Sequence, residues 1–209
     1  KVFRTLMGIS WMWFFGAVFL SQFPSFAKEV LHGDAQVASL LLVLFSVGIG
    51  AGSLLCEVLS RGRIEMGLSP LGAIGMTVFA VDLYVASTAL PVSELMDIHS
   101  FISQSAHWRL MADLLLLSLF TGIYSVPMYA LIQVDSKTTD VARIIAANNI
   151  INALFMIASA LMAGAMLSAS MSIPDIFLWT GVANGVVTLA IFLAEPSYLH
   201  RFAAWLRGT

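Results

Sequence analysis

Six uninterrupted apolar stretches, each long enough to cross a lipid bilayer, decide what this 209-residue chain can become. They run roughly Leu6–Ala27, Val37–Val58, Leu68–Leu90, Leu110–Ile132, Ile144–Leu167 and Asp175–Leu193. A helix rises about 1.5 Å per residue, so about 20 apolar residues span a hydrocarbon core about 30 Å thick. No water reaches that core to satisfy backbone N–H and C=O groups, and a helix satisfies both internally. The rest of the composition agrees that the solvent is lipid. Charged residues make up 11% of the chain and hydrophobic residues 59%, with a mean hydropathy of +0.92. Soluble domains carry about 25% charged residues. The expected fold class is an all-α integral membrane domain, a six-helix transmembrane bundle over residues 1–194 followed by a tail at 195–209.

The segments between the runs carry turn chemistry. His32-Gly33-Asp34 separates the first two, with Asp34 placed to cap the second helix. Pro174 sits where a first-turn proline starts the sixth. Pro24 and Pro127 fall inside runs and are expected to kink them. Basic residues divide unevenly. Lys1, Arg4, Arg61, Arg63, Lys137, Arg143, Arg201 and Arg207 fall on one side of the expected topology, and only Lys28 and Arg109 on the other. The positive-inside rule then places both termini in the cytoplasm. A net charge of −2 offers no basic field for nucleic acid. The single Cys56 excludes an internal disulfide, and four scattered histidines make no metal set, so no cofactor or metal is expected. The chain starts at Lys1, directly before an apolar run, and is expected to be a piece of a longer protein.

Polar residues inside the runs are the candidates for function, because each is costly in lipid unless it is used. Asp82 lies within the third run with no basic residue near it on the same helix. It is expected to be protonated, hydrated or paired from another helix, either lining a pathway or wetted at the outer interface. Asp113 follows Arg109 by four residues, the spacing of a pair on one helical face. Glu57 ends the second run ahead of Arg61 and Arg63, which makes either a cytoplasmic gate or simple snorkelling at the interface. Asn148 and Asn152 share one face of the fifth run, with Asn149 beside them, and Ser159 and Ala163 continue that face at helical spacing. The face reads as interhelical hydrogen bonding or as a polar cavity wall. Ser10, Ala17 and Ser21, with Gln22 adjacent, make a weaker stripe on the first run. Trp11 and Trp13 fit a belt or a pathway wall equally. Gly48 with Gly52, Gly181 with Gly185, and Ala160 with Gly164 are spaced for close helix packing. No His-x4-Asp pattern, phosphate loop or G-x-S-x-G elbow occurs, so the segment is not expected to be an enzyme.

Three long segments, Gly8–Pro24, Gly52–Glu65 and Ile145–Met156, resemble bacterial lysophospholipid transporters of the major facilitator superfamily. The resemblance covers essentially the whole chain and matches helices seven to twelve, the carboxy-terminal half of a twelve-helix fold. It is nearest to the kind fused ahead of a 2-acylglycerophosphoethanolamine acyltransferase and an acyl-carrier-protein synthetase, and Glu195–Arg207 looks like the linker into such an enzyme. Gly52–Arg63 resembles the superfamily's cytoplasmic loop motif, with Glu57 five residues after Gly52 where the family places its acid four after. The resemblance implies inward flipping of lysophospholipid, such as lysophosphatidylethanolamine, across the bacterial inner membrane for reacylation. It also implies an amino-terminal six-helix half as partner and alternating access by rocking of the two halves. Asp82, Asn152 and Ser21 are then expected to shield the head group in a shared groove. A facilitator for drugs or other small molecules, and a scaffold that only anchors the enzyme, are the alternatives.

Overall fold

A computed structural model describes residues 2–90, 94–135 and 141–207, with the side chains of 135 and 141 excepted. Lys1, Lys137 and residues 208–209, which entered the charge and tail expectations, lie outside the described residues. The described chain is all-helical, with no strand and one isolated bridge, Gly33 to Met96. Six helices are long and apolar enough to span a membrane. They are α1 (Val2–Ser25), α2 (Ala35–Ser60), α3 (Leu68–Thr88), α5 (Ala106–Asp135), α6 (Val141–Ser168) and α7 (Ile173–Ala194). Two short helices complete the set, α4 (Ile98–Ser103) and α8 (Ser197–Leu206).

Counting the π-helical turn Phe26–Val30 that continues α1, five of the expected runs sit inside these helices, which extend one to four residues further at each end. Hydropathy senses only the apolar part, whereas the helix continues until its end groups are capped. The third is the exception, since α3 stops at Thr88, two residues short of the expected Leu90. Asp34 caps α2, its Oδ1 accepting from the amides of Gln36 (2.8 Å) and Val37 (3.1 Å). Pro174 stands in the first turn of α7, where Ser172 and Asp175 form a capping box. Directly after Pro24, α1 widens into a π-helical turn over Phe26–Val30, with the amide of Leu31 donating to the Phe26 carbonyl. Pro127 stands within α5, which continues through it.

Contacts at the helix ends fix the up-and-down course. Arg4 meets the Ala194 carbonyl and the Glu195 carboxylate, and Trp205 Nε1 donates to the Leu59 carbonyl (3.3 Å). One end of the bundle thus gathers Arg4, Arg61, Arg63, Arg201 and Arg207, and is called the basic end below. At the opposite end the Asp34 amide donates to the Met96 carbonyl (3.0 Å), joining two loops.

Lipid tails are as apolar as leucine, so burial from water does not hold these helices together; close packing and interhelical hydrogen bonds do. α1 runs through the middle and carries an aromatic column. Phe19 stacks on Phe177 of α7 with ring centroids 4.4 Å apart, and Phe23 meets Phe45 of α2 edge-on at 5.5 Å. Such pairs contribute about 0.5–1.5 kcal/mol beyond area. α2 crosses α5 at glycines. A methyl group on Gly52 would overlap the Leu119 carbonyl, one on Gly48 the Ser118 hydroxyl, and one on Gly122 the Ile49 carbonyl. Gly181 similarly admits Ala80 of α3, while Gly185 faces Thr77 at ordinary contact distance. The expected packing pair on α6 is corrected: Gly164 has open space where a side chain would stand, and Ala160 is exposed. The reason is the placement of α6, which lies against α1 through one narrow stripe and leaves the remainder of its surface uncovered.

Candidate functional site

That stripe is the Asn148, Asn152, Ser159, Ala163 face expected from the sequence, and all four residues are buried. It meets α1 in a polar network. In the orientation that pairs both ends of its carboxamide, Asn152 accepts from Asn148 Nδ2 (3.0 Å) and Trp13 Nε1 (3.2 Å). Its nitrogen donates to Ser10 Oγ (2.8 Å) and to the main-chain carbonyl of Asn148 (3.2 Å). Trp13 Nε1 also reaches the Tyr129 hydroxyl of α5 (2.8 Å), so three helices share the cluster. One acceptor is left over. Asn148 is 5% exposed, and its Oδ1 has no hydrogen-bond partner among the described residues. An orphan of this kind costs about 1–3 kcal/mol, so it marks a place where a donor is missing.

Beside the network lies a groove of about 260 Å³ between α1, α2, α5 and α6. Trp13 and Tyr129 belong to both. Leu20, Phe45, Ile49 and Met156 give the groove an apolar wall, and Gly16 leaves its floor open. A polar corner at one end of an apolar trough suits a ligand that is itself divided into head and tail.

The other expected site residues go elsewhere. Ser21 and Gln22 lie about three turns along α1 from Ser10; Ser21 Oγ donates to the Val18 carbonyl (3.0 Å) and accepts from Gln22 Nε2 (3.3 Å). Asp82 is on a different interface altogether, between α3 and α5. The sequence offered Arg109 a local partner in Asp113, and the structure corrects this. Arg109 Nε donates to Asp82 Oδ2 (3.2 Å), and Nη2 contacts Asp82 Oδ1. Packing of α3 on α5 brings a carboxylate from 27 positions away closer than the one four residues along.

Arg61 and Arg63 lie in the loop after α2 and Glu57 in the helix's last turn, all with exposed side chains and with no ion pair among them. Backbone contacts shape this loop. Arg61 and Gly62 adopt left-handed conformations (φ 54° and 69°), and their amides return to the Val58 and Glu57 carbonyls. Gly48, Gly52, Gly181 and Gly185 are packing contacts, as described.

Asn184 is the residue that reading the sequence missed. Fully buried on α7, it accepts from Trp11 Nε1 (2.9 Å) and donates to the Ala73 carbonyl and to Thr77 Oγ1 (both 3.0 Å). Its signal was available: a lone carboxamide in the middle of an apolar run must find partners on neighbouring helices.

Fold and site together define a multi-pass, all-α membrane protein whose six-helix domain is compatible with a transporter. No protein-family model, curated protein or solved structure matches the chain.

Proposed function

We propose that this chain is one six-helix half of a major-facilitator-type transporter that moves lysophospholipid inward across a bacterial inner membrane. Three things support the reading: the sequence resemblance, the excess of arginine and lysine at one end, and the form of the groove. The groove carries most weight. Lysophosphatidylethanolamine has one acyl chain, compatible with lipid, and a zwitterionic head that is not. The Asn148–Asn152–Ser10 corner supplies hydrogen-bonding groups for the head, with Asn148 Oδ1 free to accept from an ammonium. The trough of Leu20, Phe45 and Met156 suits the chain. In this reading the basic end is cytoplasmic, the amino-terminal half closes over the groove, and reacylation is the task of an enzyme downstream. The segment itself catalyses nothing.

The test is uptake of labelled lysophosphatidylethanolamine by cells carrying the full-length protein, with Asn152→Leu and Asn148→Leu compared at equal expression. Loss of most uptake in both supports the site. Wild-type uptake in both removes the corner from the mechanism. Export of drugs without lysolipid uptake would favour a general facilitator, and normal lysolipid recycling after excision of the membrane helices would favour a scaffold.

A further inference from the structure

The Asp82–Arg109 pair has a third member that the groove does not use. Asp113 lies two turns into α5, 4% exposed, and its Oδ2 has no hydrogen-bond partner among the described residues. Its carboxyl group interacts with that of Asp82 across the α3–α5 interface. Two carboxyl groups therefore face a single guanidinium, and that guanidinium is committed to Asp82.

Other charges do not relieve Asp113. α2 carries none between Asp34 and Glu57, and α1 carries none between Arg4 and Lys28. α3 contributes only Asp82 to this interface. His107, one turn earlier on α5, is occupied with the Phe101 carbonyl (2.9 Å) and stacked on the Phe101 ring. His99 of α4 is exposed. A buried carboxylate with an unpaired oxygen and no counter-ion is unfavourable by several kcal/mol, and a proton removes the charge.

We infer that Asp113 is a proton-binding site whose charge state selects the partner of Arg109. With the proton on Asp113, Arg109 bonds to Asp82 and ties α3 to α5. When the proton leaves to water, Asp113 becomes the second anion of the pair. Arg109, four residues before it on the same helical face, then turns to Asp113 and releases Asp82. No other group needs to change charge, and the tie between the two helices opens and closes with one proton. The inference is independent of what the groove carries.

Infrared difference spectroscopy of the full chain in lipid vesicles, between neutral and alkaline pH, tests it. A protonated-carboxyl C=O band is expected at neutral pH, lost reversibly on alkalinisation and absent from Asp113→Asn, which keeps the shape of the neutral side chain. Asp82→Asn provides the second arm: with Asp82 gone, Arg109 turns to Asp113, and the band disappears at neutral pH although Asp113 is intact. A spectrum unchanged by Asp113→Asn, or a band indifferent to alkaline pH, overturns the proton site. A band that survives in Asp82→Asn overturns the switch, because it would belong to an acid that is merely buried.

Discussion

Asn184 offers the sharpest test of how this bundle is held together. Replacing it by leucine keeps the number and branching of side-chain heavy atoms while deleting three hydrogen bonds. Their values are unequal. The Ala73 carbonyl also accepts from Thr77 Oγ1 (3.1 Å) and loses little. Trp11 Nε1 loses its partner in a position 8% exposed, where an unsatisfied donor costs about 1–3 kcal/mol. Interhelical hydrogen bonds in membrane proteins average about 0.6 kcal/mol and reach about 1.7. The expected total is roughly 2–4 kcal/mol lost from unfolding in mixed micelles titrated with dodecyl sulfate, followed by circular dichroism. Adding Trp11→Phe should then cost less than it does in the parent, because the donor left stranded is removed with it. The double-mutant cycle should return a coupling of about 0.6–1.7 kcal/mol. A single-mutant loss below about 0.5 kcal/mol, or no coupling, would refute the claim that this network fastens α7 to α1 and α3.

Gly52→Ala should destabilise the fold by about 1–3 kcal/mol in the same titration, because its methyl meets the Leu119 main chain and only separation of α2 from α5 relieves the overlap. Gly164→Ala, with open space around it, should stay within about 1 kcal/mol of the parent. The corner between α7 and α8 should respond to acid. The Ser197 hydroxyl, foremost, and Arg4 hold the Glu195 carboxyl below its ordinary value of 4.5. A depressed value means that the contribution is complete above the unfolded-state pKa and is lost as pH falls through the folded one. Protection factors of the Ser197–Leu206 amides should therefore fall as pH drops below the ordinary glutamate range, and Glu195→Gln should flatten that response. Gly16→Cys should be accommodated and react readily with a thiol reagent, while native Cys56, 1% exposed, stays silent. Lysophosphatidylethanolamine should slow that reaction if the groove binds it, and an unchanged rate would count against the proposed cargo.

What the sequence disclosed was whatever depends on neighbours along the chain. Apolar runs give the six spanning helices; Asp34 and Pro174 give two of their beginnings; the spacing of Asn148, Asn152, Ser159 and Ala163 gives the buried face of α6. What stayed hidden depends on which helices meet. Arg109 had a local partner in Asp113, and the α3–α5 crossing supplied Asp82 instead. Ala160 and Gly164 have the spacing of a packing pair, but α6 turns them outward. α8 falls in the segment that the resemblance gave only as a linker. Its signal lies in Tyr198, Leu199, Phe202 and Trp205 at helical spacing opposite His200 and Arg201. That face seats the tail under α3, where Gly67 abuts the backbone of Arg201 and Phe202.

The bundle contains two kinds of polar cluster, and the difference between them separates packing from function. The Trp11–Asn184–Thr77 network is closed: its donors and acceptors are matched, and nothing in it awaits a ligand. The Asn148–Asn152 cluster near the basic end and the Asp82–Arg109–Asp113 cluster near the other each end in a buried oxygen without a partner. Those two open clusters lie on different helix pairs, yet α5 belongs to both, carrying Tyr129 in one and Arg109 with Asp113 in the other. The 30-residue α5 packs along both α2 and α3 and is common to the two clusters. A donor bound at Asn148 and a proton bound at Asp113 would then bias the same element. Linkage requires that bias to be reciprocal. Lysolipid binding should shift the pH at which the Asp113 band disappears, and alkaline pH should change lysolipid affinity by the same factor. If neither shift occurred, α5 would not be a connection between them.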